Sequence, residues 1–160
     1  MLKKTAQANR FTERDAMAKI SKKQISDEEY WTMLRDLWFD AEEIHSRMNT
    51  WLDAFTASRA DREHLSTVYE NHGLAKMPKT LTIYRGANSP DVPGISWTTS
   101  RDRATSYAYR SVGVGAGDAP WITVAQVEKK HVLAYFVRGN EQEVIAHPID
   151  VFGRKPEILR

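Results

Sequence analysis

Two glutamates stand one residue apart in Asn140-Glu141-Gln142-Glu143-Val144-Ile145-Ala146, at the entrance to a run apolar enough to be a strand. In an extended strand residues i and i+2 share a face, so Glu141 and Glu143 would present paired carboxylates. Like charges that close repel, and a chain that keeps both either uses them or leaves them in solvent. Upstream, Leu81-Thr82-Ile83-Tyr84-Arg85-Gly86 puts an arginine at the end of another strand-like run, before a glycine where the strand would turn. A guanidinium held there offers a two-pronged grip for phosphate oxygens. Between these runs, Ser96-Trp97-Thr98-Thr99-Ser100 gathers hydroxyls able to orient a carboxylate or hold a ribose. Each feature alone also has an ordinary reading, since strand-end arginines face solvent and threonine favours strands.

The elements that must position these residues differ between the halves of the chain. Ser26-Asp27-Glu28-Glu29 fits a capping box. Trp31, Leu34, Trp38, Ala41, Ile44, Met48, Trp51, Leu52 and Phe55 then recur at steps of three and four. That stripe predicts a long amphipathic helix whose tryptophans pack a core, with a bend near Asn49-Thr50 because the run is long for a globular helix. A second helix is expected from Ser58 or Asp61, with Leu65, Val68 and Tyr69 inward and Gly73 at its end. After Pro78 the texture turns to short β-type runs: Leu81–Tyr84, Ile95–Thr98, Trp121–Val127, Val132–Val137 and Glu143–His147. A helix over roughly Arg101–Tyr109 follows the hydroxyl strand, with Ser100 placed to cap it. Gly113, Gly115 and Gly117 in the segment Ser111–Asp118 lack the spacing of a dinucleotide fingerprint and read as a surface loop.

Arginine, hydroxyl strand and Glu-x-Glu, in that order, resemble the R-S-E signature of the mono-ADP-ribosyltransferases over roughly Leu81 to Pro148. The resemblance implies an α+β fold with N-terminal helices (1–78) packed on a split, mostly antiparallel sheet core (79–160), forming one domain. It implies NAD as substrate and no metal. Arg85 would grip the NAD phosphates, and Glu143 would be the catalytic glutamate beside the nicotinamide ribose. Glu141 would match the extra glutamate of the subclass that modifies arginine. Tyr84, Gly86, Ser96, Thr98, Thr99, Ser100 and Tyr107 would complete the NAD site. Thr98-Thr99-Ser100 is similar to the family's Ser-Thr-Ser motif, with Ser96 a second match for its leading hydroxyl; both registers stand. The glycine-rich segment falls where the family carries its phosphate–nicotinamide loop. Val137-Arg138-Gly139-Asn140 reads as a turn, either a substrate-recognition element or a plain strand connection. The size and texture look most like small transferases of phages, prophages and bacterial toxins, with which an antitoxin partner is compatible. A protein arginine is the implied acceptor; RNA or DNA, or a non-catalytic module of the same fold, are the rivals.

Composition sets the outer bounds. At 160 residues with 41% hydrophobic and 28% charged content, the chain suits one folded domain. A net charge of +2 permits an acidic partner without arguing for one; Lys3, Lys4, Arg10, Lys19, Lys22 and Lys23 are its one local enrichment. The absence of cysteine excludes disulfides, thiol catalysis and thiolate metal sites. His45, His64, His72, His131 and His147 show no metal-ligand spacing. No apolar run is long enough to span a bilayer and no signal-peptide core follows Met1, so the expected location is a bacterial or host cytosol with no membrane partner.

Overall fold

The computed structural model describes residues 18, 25–42, 44–90, 92–113 and 118–160. The N-terminal basic cluster, Gly115 and Gly117 lie outside the described residues. The chain divides into two compact units between Thr67 and Val68.

The first unit is helical. Helix α1 (Asp27–Asp40) opens on the expected capping box. The Glu29 amide donates to Ser26 Oγ at 3.2 Å, and the Ser26 amide donates to Glu29 Oε2 at 3.0 Å. Asp27, Glu28 and Glu29 also set negative charge against the positive end of the helix dipole. The predicted long helix breaks earlier than Asn49-Thr50: α1 stops at Ala41 in an extended conformation. A 3-10 turn (His45–Arg47) then leads into α2 (Met48–Phe55). Packing explains the break. Trp38 meets Trp51 edge to face, centroids 5.1 Å apart, and meets Phe55 at 5.2 Å. Along an unbroken helix Trp38 and Trp51 would be about 20 Å apart. Trp31, Leu34, Trp38, Trp51 and Phe55 are all buried, as the stripe predicted.

The second unit carries α3 (Val68–Lys76), six strands and α4 (Arg101–Ser111). The predicted inward face of α3 is inverted. Leu65 is buried in a preceding 3-10 turn, but Val68 and Tyr69 are 79% and 75% exposed. Glu70 is the buried residue of this helix, and its carboxylate accepts the Val137 amide at 2.8 Å. Gly73 does not end the helix; a Cβ there would stand 3.2 Å from the Tyr135 ring, so glycine serves close packing.

The strands are β1 (Thr80–Ala87), β2 (Ser96–Thr98), β3 (Trp121–Glu128), β4 (Val132–Arg138), β5 (Glu141–Ala146) and β6 (Val151–Ile158). They form one open sheet in the order β4-β5-β2-β1-β3-β6, antiparallel at every pairing. Its two three-stranded halves meet at β1 and β2 through the single pair Tyr84↔Thr98. Sequence reading places five of the strands and misses β6. One face holds the cluster Leu81, Ile83, Trp97, Tyr135 and Val144. The other receives α4, capped as expected by Ser100, whose Oγ accepts the Arg103 amide at 3.3 Å. Gly86 makes that contact possible: a Cβ would fall 2.0 Å from the Ala104 carbonyl oxygen. The strand does not turn at Gly86, as the sequence suggested, but runs on to Ala87.

Candidate active site

The sheet register collects the candidate residues at the seam between its halves. Tyr84 pairs with Thr98, Thr98 with Glu143, and Glu143 with Phe136, a row across four strands. Residues of one row share a face, and Glu141 falls on it again two positions away. Glu143 is 6% exposed, an uncommon place for a carboxylate without partners. It has them. Ser96 Oγ donates to its Oε1 at 2.5 Å, and Arg138 Nη2 lies 3.6 Å from its Oε2. Arg138 arrives through the β4–β5 hairpin, whose two-residue loop has Gly139 at φ 57°, where glycine carries no steric cost.

Of the two hydroxyl registers open to the sequence, Ser96 is the one bonded to Glu143. The neighbouring hydroxyls have other bonds. Thr98 Oγ1 accepts the Ser100 amide at 3.1 Å, and Thr99 Oγ1 donates to Gln142 Oε1 at 2.6 Å. Ser100 caps α4. Glu141 receives the hydroxyl of Tyr107, which projects from α4. Burial, then the Glu141 carboxylate accepting its proton, pushes the Tyr107 hydroxyl up to about 12. Tyr107 is therefore a neutral donor at ordinary pH. Arg110 stacks on its ring at 4.6 Å.

Arg85 reaches the same place from β1. Beyond the single β1–β2 pair, its Nη1 donates to the Ser96 carbonyl at 2.8 Å and its Nη2 to the Pro93 carbonyl at 3.2 Å. Gly94 leaves room for it, because a Cβ there would collide with the guanidinium at 2.0 Å. Burial, and secondly the charge of Arg154, lower the Arg85 pKa from its usual value. Ser96 thus holds Arg85 through its carbonyl and Glu143 through its hydroxyl. Tyr84 and Gly86 stand apart from this chain of bonds: Tyr84 packs with Ala104, Ala108 and Ile122, and Gly86 lies beneath α4.

A carboxylate so desolvated, oriented by a hydroxyl and a cation, is suited to stabilising positive charge that develops beside it. The sequence pointed to Glu143 and Arg85, offered Ser96 only as the second match beside Thr98-Thr99-Ser100, and left Arg138 in a turn of open role. The available signal was the two-residue loop Gly139-Asn140, which pairs position 138 with 141 and sets it diagonal to 143. No group of three His, Asp or Glu suited to a metal occurs among the described residues. No helix among them is long and apolar enough to cross a membrane. Comparison with protein families, curated protein sequences and solved structures returns no match.

Proposed function

We propose that this chain is an NAD-dependent mono-ADP-ribosyltransferase that takes a protein arginine as acceptor. The observation that carries the reading is Ser96, bonded through its carbonyl to Arg85 and through its hydroxyl to Glu143. Arginine, hydroxyl and glutamate, far apart in sequence, become one chain of contacts at the sheet seam, as the R-S-E resemblance requires. The halved antiparallel sheet supports it too.

In this mechanism Arg85 anchors phosphate oxygens of NAD. The glycosidic bond between the ribose C1′ and nicotinamide breaks, and its electron pair leaves with nicotinamide. The Glu143 carboxylate stabilises the oxocarbenium-like cation left on the ribose, as carboxylates do in glycoside hydrolysis. An acceptor guanidinium nitrogen then bonds to C1′ and loses a proton. A guanidinium is a poor nucleophile while charged, so orientation and proton removal fall to Glu141. Before the acceptor arrives, Glu141 is held by Tyr107.

Incubation of the protein with labelled NAD and whole-cell extract, followed by protease or nuclease, tests the reading. Label sensitive to protease and absent with Glu143→Gln is expected. Nuclease-sensitive label moves the acceptor to RNA or DNA, and wild-type protein that releases no nicotinamide overturns the enzyme reading. Glu141→Gln should abolish transfer while sparing much of the NAD hydrolysis, since water needs less activation than a guanidinium.

A further inference from the structure

Strand β6 pairs Phe152 with Gln126 and Lys155 with Val124, so Gly153 and Arg154 together oppose Ala125 alone. With Gly153 at φ 63°, this is a β-bulge led by a left-handed glycine, a device that re-aims the side chain next to it. That side chain is Arg154. Its guanidinium carbon stands 5.9 Å from the centre of the Trp97 ring, and its Nη2 donates to the Pro148 carbonyl at 3.0 Å. Trp97 directly follows Ser96, whose carbonyl holds Arg85. Two guanidiniums therefore converge on one residue pair of β2.

Neither has an acidic partner among the described residues: the hydrogen bonds of Arg85 and Arg154 go to backbone carbonyls, and Arg154 also faces the Trp97 ring. Arg154 raises the cost of charging Arg85, so the pair repels. Two buried donors of these residues, Arg85 Nε and Trp97 Nε1, have no acceptor among the described residues. Two cations near each other, with no carboxylate bonded to either among the described residues, are the complement of an anion with several oxygens.

We propose that Arg85 and Arg154 are two arms of an anion site for a diphosphate ester, with Trp97 as its wall. Each arm faces one phosphate, which suits two forks carried on different strands better than a single carboxylate does. That the diphosphate belongs to NAD rests on the transferase reading; the anion site itself does not.

Calorimetric titration of inorganic pyrophosphate and of NAD into the full chain tests the proposal, using wild type, Arg154→Gln and Arg154→Lys. Pyrophosphate should bind wild type and bind Arg154→Gln at least about tenfold more weakly, with Arg154→Lys between them because it keeps charge but not the fork. Unliganded Arg154→Gln should melt no lower than wild type, since it loses a like-charge repulsion. Equal pyrophosphate affinity in wild type and Arg154→Gln, or none in either, overturns the proposal. Arg154-dependent binding of pyrophosphate without any binding of NAD leaves the anion site standing and removes the transferase reading. NAD turnover together with pyrophosphate binding that is indifferent to Arg154 does the reverse.

Discussion

Arginines serve different ends in the two units. In the helical unit Arg59 pairs with Asp27 at 2.8 Å, covers the Tyr30 ring at 4.3 Å and donates to the Ile25 carbonyl. It ties the segment after α2 to the start of α1, and its charge is answered. Arg62 lies over Trp31 at 4.6 Å, and Arg35 covers Phe39 and donates to the Leu65 carbonyl. In the sheet unit Arg101 is likewise paired, with Glu157, but Arg85 and Arg154 hydrogen-bond only to carbonyls, with the Trp97 ring beside Arg154. Two carboxylates stand on one face of β5 not far away in the register. Arg85, half-buried and with no carboxylate bonded to it among the described residues, carries a desolvation cost that Arg59 does not. The helical unit keeps its charges for holding itself together.

Breaking that contrast at its strongest point means emptying the helical core. Trp38→Ala removes the ring between Trp51 and Phe55 and should cost about 3–5 kcal/mol in urea unfolding. If the functional charges belong to the sheet unit alone, the turnover of the folded fraction should not change. A fall in turnover at full folding would erase the distinction.

Glu143→Gln is the converse experiment. The amide can still accept from Ser96 but lacks the charge that the proposed mechanism sets beside the ribose cation, so on that proposal transfer and NAD hydrolysis should fall roughly 100- to 1000-fold. Thermal unfolding should stay near wild type. Near-normal turnover would remove Glu143 from the chemistry. Ser96→Ala should act in the same direction but more weakly, by about tenfold in kcat, which is the usual worth of one hydrogen bond to a charged group. Its KM for NAD should hold, because the Ser96 carbonyl that anchors Arg85 is backbone.

The contrast also explains what the sequence could disclose. The capping box at Ser26, the tryptophan stripe, the Ser100 cap and five strands are written in local patterns of period and spacing, and the structure carries them out. Strand β6 was not legible because Arg154, Lys155, Pro156 and Glu157 show no apolar alternation; it is an edge strand with mostly exposed residues. The inverted face of α3 depends on Glu70 reaching the Val137 amide, a contact across 67 residues that no helical periodicity encodes. At the site, residue types and order singled out Arg85, Glu141 and Glu143, and left the hydroxyl open between Thr98-Thr99-Ser100 and Ser96. Which hydroxyl meets Glu143 was not legible, because it depends on β2 pairing Thr98 with Glu143, a register set by tertiary packing. Arg154 depends on a bulge, which shifts register where the sequence shows only a glycine.

The smallest effect sharpens the contrast most, because it concerns a contact that is neither pure scaffold nor chemistry. Tyr107→Phe keeps the ring under Arg110 and deletes only the hydroxyl that holds Glu141. A charged guanidinium offers Glu141 a stronger, charge-assisted bond than a neutral phenol does, so an arginine acceptor should displace the tyrosine. The variant should then hydrolyse NAD as wild type does and lose only about two- to threefold in transfer, through looser orientation of Glu141. Alkaline behaviour supplies the second measurement. An unfolded tyrosine ionises near 10, whereas Tyr107 in the folded chain resists until about 12. Its contribution to stability is complete below pH 10 and drains away as pH rises from 10 to 12. Tyr107→Phe should flatten that part of the denaturation profile. A hundredfold loss of transfer would make Tyr107 part of the reaction, and an unchanged profile would mean that its hydroxyl does not hold Glu141 in solution.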